Sequence, residues 1–247
     1  MRGFVSLFHT KVFKIGLLVA LFITAALIAI AMILGKESGF FTIRVQNGDA
    51  LKSLTMALDP TNEKDYSTNL SAKAVDDFDQ TSPTYLFKDQ FAEITKIHKG
   101  IAGDISVDEE KIYGYSFFVI NTTSNHQEIT ARFKLTMSKD DGLSDAIRVM
   151  TYYEMGGTQN FNVYQKVDKE AKTYDAYTMI EARNALREFK DGSSVIFDDE
   201  EIVISGTPGI NNIRYTILFW LEGEDPECTE DILGKSARFE LEADVVM

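Results

Sequence analysis

The sequence predicts a mainly β protein: an antiparallel β-sandwich of jelly-roll-like type with a few short helices, preceded by one N-terminal transmembrane helix. Three observations carry this expectation. Residues 15–34 form one uncharged apolar run, 15-IGLLVALFITAALIAIAMIL-34. Segments 129–137 and 236–245 alternate apolar and polar residues with a period of two. Turn-forming residues cut most of the remainder into short apolar pieces, at a spacing that suits strands.

A helix of ~20 residues rises ~30 Å, the thickness of the hydrocarbon core of a bilayer. Arg2, Lys11 and Lys14 precede the run, and Lys36 with Glu37 follows it. The positive-inside rule then divides the chain into a short cytoplasmic N-terminus (1–14), a transmembrane helix or uncleaved signal anchor (15–34), and an extracytoplasmic domain (39–247). The expected topology is single-pass, in the cell membrane with the C-terminal domain outside. The alternative is secretion after cleavage at a small-x-small site such as Ala29-Ile30-Ala31. A signal peptide has a shorter apolar region, ~7–15 residues, so length favours the anchor.

In 129-ITARFKLTM-137, Ile129, Ala131, Phe133, Leu135 and Met137 share one face, and Thr130, Arg132, Lys134 and Thr136 the other. In 236–245 the inward set is Ala237, Phe239, Leu241, Ala243 and Val245. Such strands are half-buried. The runs 112-IYGYSFFVI-120, 147-IRVMTYY-153 and 213-IRYTILFWL-221 are apolar on both faces and suit central, doubly covered strands. Weaker strands are expected at 40–45, 51–58, 69–74, 161–167, 194–197 and 201–205. Turns fall at 121–125, 139–142, 156–157 and 206–212. Helices are expected at 175–190, closed by Lys190 and Gly192, and at 88–97.

The net charge of the chain is −13. Residues 1–36 carry four of the 25 basic residues and none of the 38 acids, so the body holds 21 against 38, a net of −17. A body this acidic repels nucleic acid, whose phosphates need clustered Lys and Arg. The expected partners are the membrane, through residues 15–34, and other surface proteins or further copies of the chain.

No catalytic motif stands out. His9, His98 and His126 lack metal-ligand spacing, and no GxSxG, GxxxxGK[ST] or GxGxxG after a strand is present. With one cysteine, Cys228, the chain forms no internal disulfide. The acidic runs 76-DDFD-79, 108-DEE-110 and 198-DDEE-201 read as solvated turns, the last between two strands. Two alternatives stay open. Asp198, Asp199, Glu222, Glu224 and Asp225 could supply oxygen ligands to Ca²⁺, or a carboxylate pair could serve a hydrolase. The hydrolase reading requires two acids in one recess, one of them with a raised pKa. Asn69-Leu70-Ser71 and Asn121-Thr122-Thr123 match the glycosylation sequon.

The stretch 220-WLEGEDPECTEDI-232 follows helix-capping rules. Asp225 suits the N-cap, Pro226 the first helical position, and Gly234 the residue after the helix. A two-turn helix is expected, with its carboxylates at the positive end of the dipole. Cys228 then sits near the helix start as a half-buried thiol of ordinary reactivity.

The segment 213-IRYTILFWLEGEDPECTEDILGKSARFELE-242 resembles the C-terminal end of a family of exported or membrane-anchored bacterial β-sandwich proteins. The segments 39-GFFTIRVQN-47, 115-YSFFVINTTSNHQEITARFKLT-136 and 143-LSDAIRVMTYYE-154 resemble the start and middle of that family. More distantly, the layout is similar to the camelysin and TasA type. The resemblance implies a surface or envelope protein and brings no catalytic residue with it. The expected function is a membrane-tethered, extracytoplasmic module for cell-surface, envelope or matrix interaction, without enzymatic activity.

Overall fold

The alternation in 129–137 places five side chains of one parity on a single face, and that face is where the two sheets of the protein meet. A computed structural model of the chain describes residues 41–46, 53–75, 79–81, 84–87, 92–107, 111–166, 185–191, 194–223, 228–232 and 234–246. The expected segments 1–14 and 15–34 lie outside these residues. No helix among the described residues is long and apolar enough to cross a membrane.

The first sheet contains β1 (Phe41–Val45), β3 (Asn69–Ser71), β7 (Ile129–Asp140), β11 (Val195–Ile204) and β13 (Ala237–Val246), in the order β11-β7-β13-β1-β3. The second contains β2 (Leu54–Ala57), β4 (Gln80–Thr81), β5 (Gly103–Val107), β6 (Ile112–Asn121), β8 (Ile147–Met155), β9 (Thr158–Gln165), β10 (Leu186–Glu188) and β12 (Asn212–Glu222). Its order is β10-β9-β8-β12-β6-β2, with β4 added on β12 and β5 on β6.

Aromatic side chains of the two sheets interlock between them. Phe219 meets Phe41 and Phe239 with ring centroids 5.4 and 4.6 Å apart. Phe133 stacks on Tyr215 at 4.8 Å and Tyr164 on Phe197 at 4.7 Å. Burial of such large rings between sheets is the main favourable contribution to a sandwich. The outward face of the first sheet is polar, as the alternation requires, with ion pairs Arg44–Glu240 (3.1 Å) and Arg132–Glu201 (2.7 Å).

The strands expected to be apolar on both faces are β6, β8 and β12, the middle of the second sheet. Their second face is covered by α1 (Ala92–His98), by the 3-10 turn Thr84–Phe87 and by Ile105 of β5. Phe87 and Trp220 pack there with centroids 6.4 Å apart. The two-residue turn Gly156-Gly157 has φ of 58° and 79° and closes the β8–β9 hairpin, a geometry glycine adopts without strain.

Four expectations need correction. The sheets are not purely antiparallel: β1–β13, β9–β10 and β4–β12 pair in parallel. Parallel neighbours need long connections, and β1 and β13 lie at opposite ends of the described chain. The helix expected over 175–190 gives way at its end to strand β10, because Leu186–Glu188 find partners in Val163–Gln165; residues 175–184 lie outside the described set. Strands 194–197 and 201–205 are one strand, β11, with two bulges where a turn was expected. In 220–232, residues 224–227 lie outside the described set, and the described helical part is a single 3-10 turn, Glu230–Ile232. Gly234 does take positive φ, 75°, as its place after that turn requires.

Candidate functional site

Ile204, Ile202 and Glu200 occupy successive same-parity positions of β11, so the pleat that buries the two isoleucines carries Glu200 inward as well. The bulge between Phe197 and Glu200 then turns Asp198 and Asp199 out of the regular alternation. A carboxylate is thereby held between the sheets, 8% exposed. Both of its oxygens are satisfied by the opposite sheet. Thr151 of β8 donates its hydroxyl to Oε1 at 3.0 Å, and Tyr215 of β12 donates to Oε2 at 2.7 Å. Asn162 of β9 adds a side-chain hydrogen bond.

Burial pushes the Glu200 carboxyl up to about 7, with a smaller push from Asp199; the hydrogen bonds from Tyr215, Thr151 and Asn162 hold it from rising further. The same surroundings raise Tyr215 and Tyr164, chiefly by burial and then by the nearby Glu200. Near neutrality Glu200 therefore exchanges between a charged acceptor and an uncharged carboxyl with one O–H to donate.

Glu200 lines a recess of about 380 Å³ where the edges of the two sheets meet at β9, β10 and β11. Asn162, Tyr164 and Phe197 line its floor, and Arg187, Glu188, Lys190 and Asp199 stand at its exposed rim. Asp191, next in the chain to Lys190 of the rim, braces the start of β11. That carboxylate accepts the Ser194 and Val195 amides at 2.9 and 2.7 Å and the Ser194 hydroxyl at 2.6 Å. The volume lies in the range of small-molecule sites.

Of the five acids considered for Ca²⁺, Asp198 is paired with Lys190, and Asp199 lies on the recess rim. Glu222 is buried and accepts the Trp220 indole N–H at 3.1 Å. Glu224 and Asp225 lie outside the described residues. Among the described residues no three His, Cys, Asp or Glu side chains gather as a metal site.

A second buried polar group lies on the other face of the second sheet, under α1. His98 Nδ1 and Thr216 Oγ1 are 2.8 Å apart, Thr216 donates to Ser116 (3.0 Å), and Arg214 Nε donates to the same Ser116 oxygen (2.7 Å). The His98 ring meets Tyr152 edge-on at 4.8 Å. Burial, then Arg214, lowers His98 to about 4, so it is neutral near pH 7 and fastens α1 to the sheet. His126 is exposed before β7, at φ 57°, with Nδ1 3.1 Å from the Gly206 carbonyl.

Asn121 is not an open glycosylation acceptor: it is buried and its amide donates to the carbonyls of Gln127 (2.8 Å) and Ile204 (3.1 Å). Asn69 is exposed on β3. Cys228 is half-buried, as expected, and its thiol points to Gln80 Oε1 at 3.4 Å.

The sequence reading missed the recess because it took Asp198–Glu201 for a turn. The overlooked signal was the continuation of the Ile204–Ile202 alternation onto Glu200. No known protein family, curated protein or solved structure matches the chain.

Proposed function

We propose that this protein is a membrane-tethered, extracytoplasmic β-sandwich module that binds cell-surface, envelope or matrix material through the Glu200 recess. The tether is the apolar run Ile15–Leu34 with its flanking Arg2, Lys11 and Lys14. The proposal includes kinship with a family of exported or membrane-anchored bacterial β-sandwich proteins, on the resemblance of residues 213–242, and a more distant likeness of layout to the camelysin and TasA type. Other surface proteins or further copies of the chain are the alternative partners. The observation that carries the binding role is the recess of about 380 Å³ with a buried carboxyl on its floor and charged side chains on its rim.

Two measurements test it. Protease added to intact cells is expected to digest the body and spare the tether. Full-length protein in lipid nanodiscs is expected to sediment with cell-envelope material, and Asn162→Ala combined with Asp199→Ala to reduce that binding at least tenfold. Binding that is absent, or unchanged in the variant, contradicts the role of the recess.

A hydrolase is the second reading. It is favoured by Glu200, raised to about 7, sharing the recess with Asp199 and Glu188. A carboxyl with a raised pKa beside a second acid is the pairing that acid–base hydrolysis uses. Release of new chain ends from envelope material by the wild type, but not by Glu200→Gln, would establish it. The Ca²⁺ reading is weaker, because Asp198 is engaged with Lys190 and Glu222 with Trp220.

A further inference from the structure

We propose that the ligand of the recess is a sugar unit of an uncharged glycan, held at the floor by a hydrogen bond from the Glu200 carboxyl. This rests on reading the recess as the binding site. The argument starts from charge. The rim carries Arg187 and Lys190 together with Glu188 and Asp199, and Lys190 is already paired with Asp198. An anion entering there meets carboxylates on β10 and β11, and the body as a whole repels it. A neutral ligand pays no such penalty.

The lining also has the chemistry that hydroxyl groups need. Glu188 and Asp199 accept; Arg187 donates; Asn162 and the Tyr164 phenol do both. A lining that offers both donors and acceptors, with Ile196 and Phe197 as its apolar part, suits a polyol better than a hydrocarbon. The volume of about 380 Å³ accommodates one or two pyranose rings.

Glu200 makes the binding depend on pH. Thr151 and Tyr215 already donate to its two oxygens, so an ionised Glu200 has only acceptor capacity left, whereas the protonated group has an O–H. The titratable and charged groups facing it are Tyr153 of β8, Tyr164 of β9, Tyr215 of β12 and Asp199 of its own strand, with Arg187, Glu188 and Lys190 at the rim. Burial, and to a smaller extent Asp199, favours the proton.

The test is calorimetry on full-length protein in nanodiscs. The neutral probes are the trisaccharides of glucose and N-acetylglucosamine; the anionic probe is a galacturonate trimer. At pH 6 a neutral probe is expected to bind and the anionic one not. Asp199→Ala and Asn162→Ala are each expected to weaken the neutral probe at least tenfold. Raising the pH to 8 weakens it roughly tenfold in the wild type, following the protonated fraction of a group near 7. Glu200→Gln keeps an uncharged donor and removes that pH dependence. Failure of every neutral probe, preference for the galacturonate trimer, or indifference to both alanine variants overturns the proposal. If envelope sedimentation still depends on Asn162 and Asp199 while neutral sugars do not bind, only the ligand class is wrong. If sedimentation ignores both residues, the recess reading fails with it.

Discussion

Tyr215 of the second sheet donates its phenolic hydroxyl to Glu200 of the first across 2.7 Å, inside the sandwich. With the Thr151 bond it ties β11, the edge of the first sheet, to the second sheet, and it holds a carboxyl that is only 8% exposed. Tyr215→Phe is expected to raise the Glu200 pKa further, since this hydrogen bond favours the charged form. It should cost ~1–3 kcal/mol at pH 8, where the acceptor is ionised, and less at pH 5. Urea denaturation at the two pH values checks this; equal losses would mean that Glu200 does not ionise there.

The pH dependence of stability follows from two groups of opposite sign. Glu200 rises from 4.5 to about 7 on folding, so its contribution is complete below 4.5 and is lost as pH climbs through about 7. His98 falls from 6.5 to about 4, so its contribution is complete above 6.5 and is lost as pH drops through about 4. Between 4.5 and 6.5 the two slopes, ~1.4 kcal/mol per pH unit each at most, oppose one another. Glu200→Gln is expected to leave only the loss on the acid side, and His98→Asn only the loss towards pH 7. Unfolding curves from pH 4 to 8 that keep the wild-type shape in both variants would refute the assignment.

Asp191→Ala removes the acceptor of two backbone amides and one hydroxyl at the start of β11. A loss of ~1–2 kcal/mol is expected, comparable to a lost cap. Hydrogen exchange at Ser194 and Val195 should accelerate while the β6–β12 ladder stays protected. Uniform acceleration would show that the turn is not a local unit.

Calcium is expected to leave the melting midpoint where chelator leaves it. Native-state binding raises stability by mass action, and the described candidates Asp198, Asp199 and Glu222 are dispersed over two sheets. A rise with millimolar Ca²⁺ would restore the metal reading.

The long strands were legible because burial on one face writes a period of two into 129–137 and 236–245. Burial on both faces leaves the unbroken runs of β6, β8 and β12. Three things were not legible. Leu186–Glu188 have no strand signal of their own and become β10 only through pairing with Val163–Gln165. The acidic character of Asp198–Glu201 hid a strand whose bulges are set by its partner β7. The environment of Glu200 comes from Thr151, Asn162 and Tyr215, and that of His98 from Thr216, 118 residues away; no local spacing encodes such contacts.

The most direct measurement of the central claim is envelope binding by full-length protein in nanodiscs at pH 6 and pH 8, for wild type and Glu200→Gln. The account predicts wild-type binding that falls roughly tenfold as pH passes about 7, and binding by Glu200→Gln that is the same at both. Wild-type binding equal at the two pH values would contradict the claim that the Glu200 recess is where this protein meets its ligand.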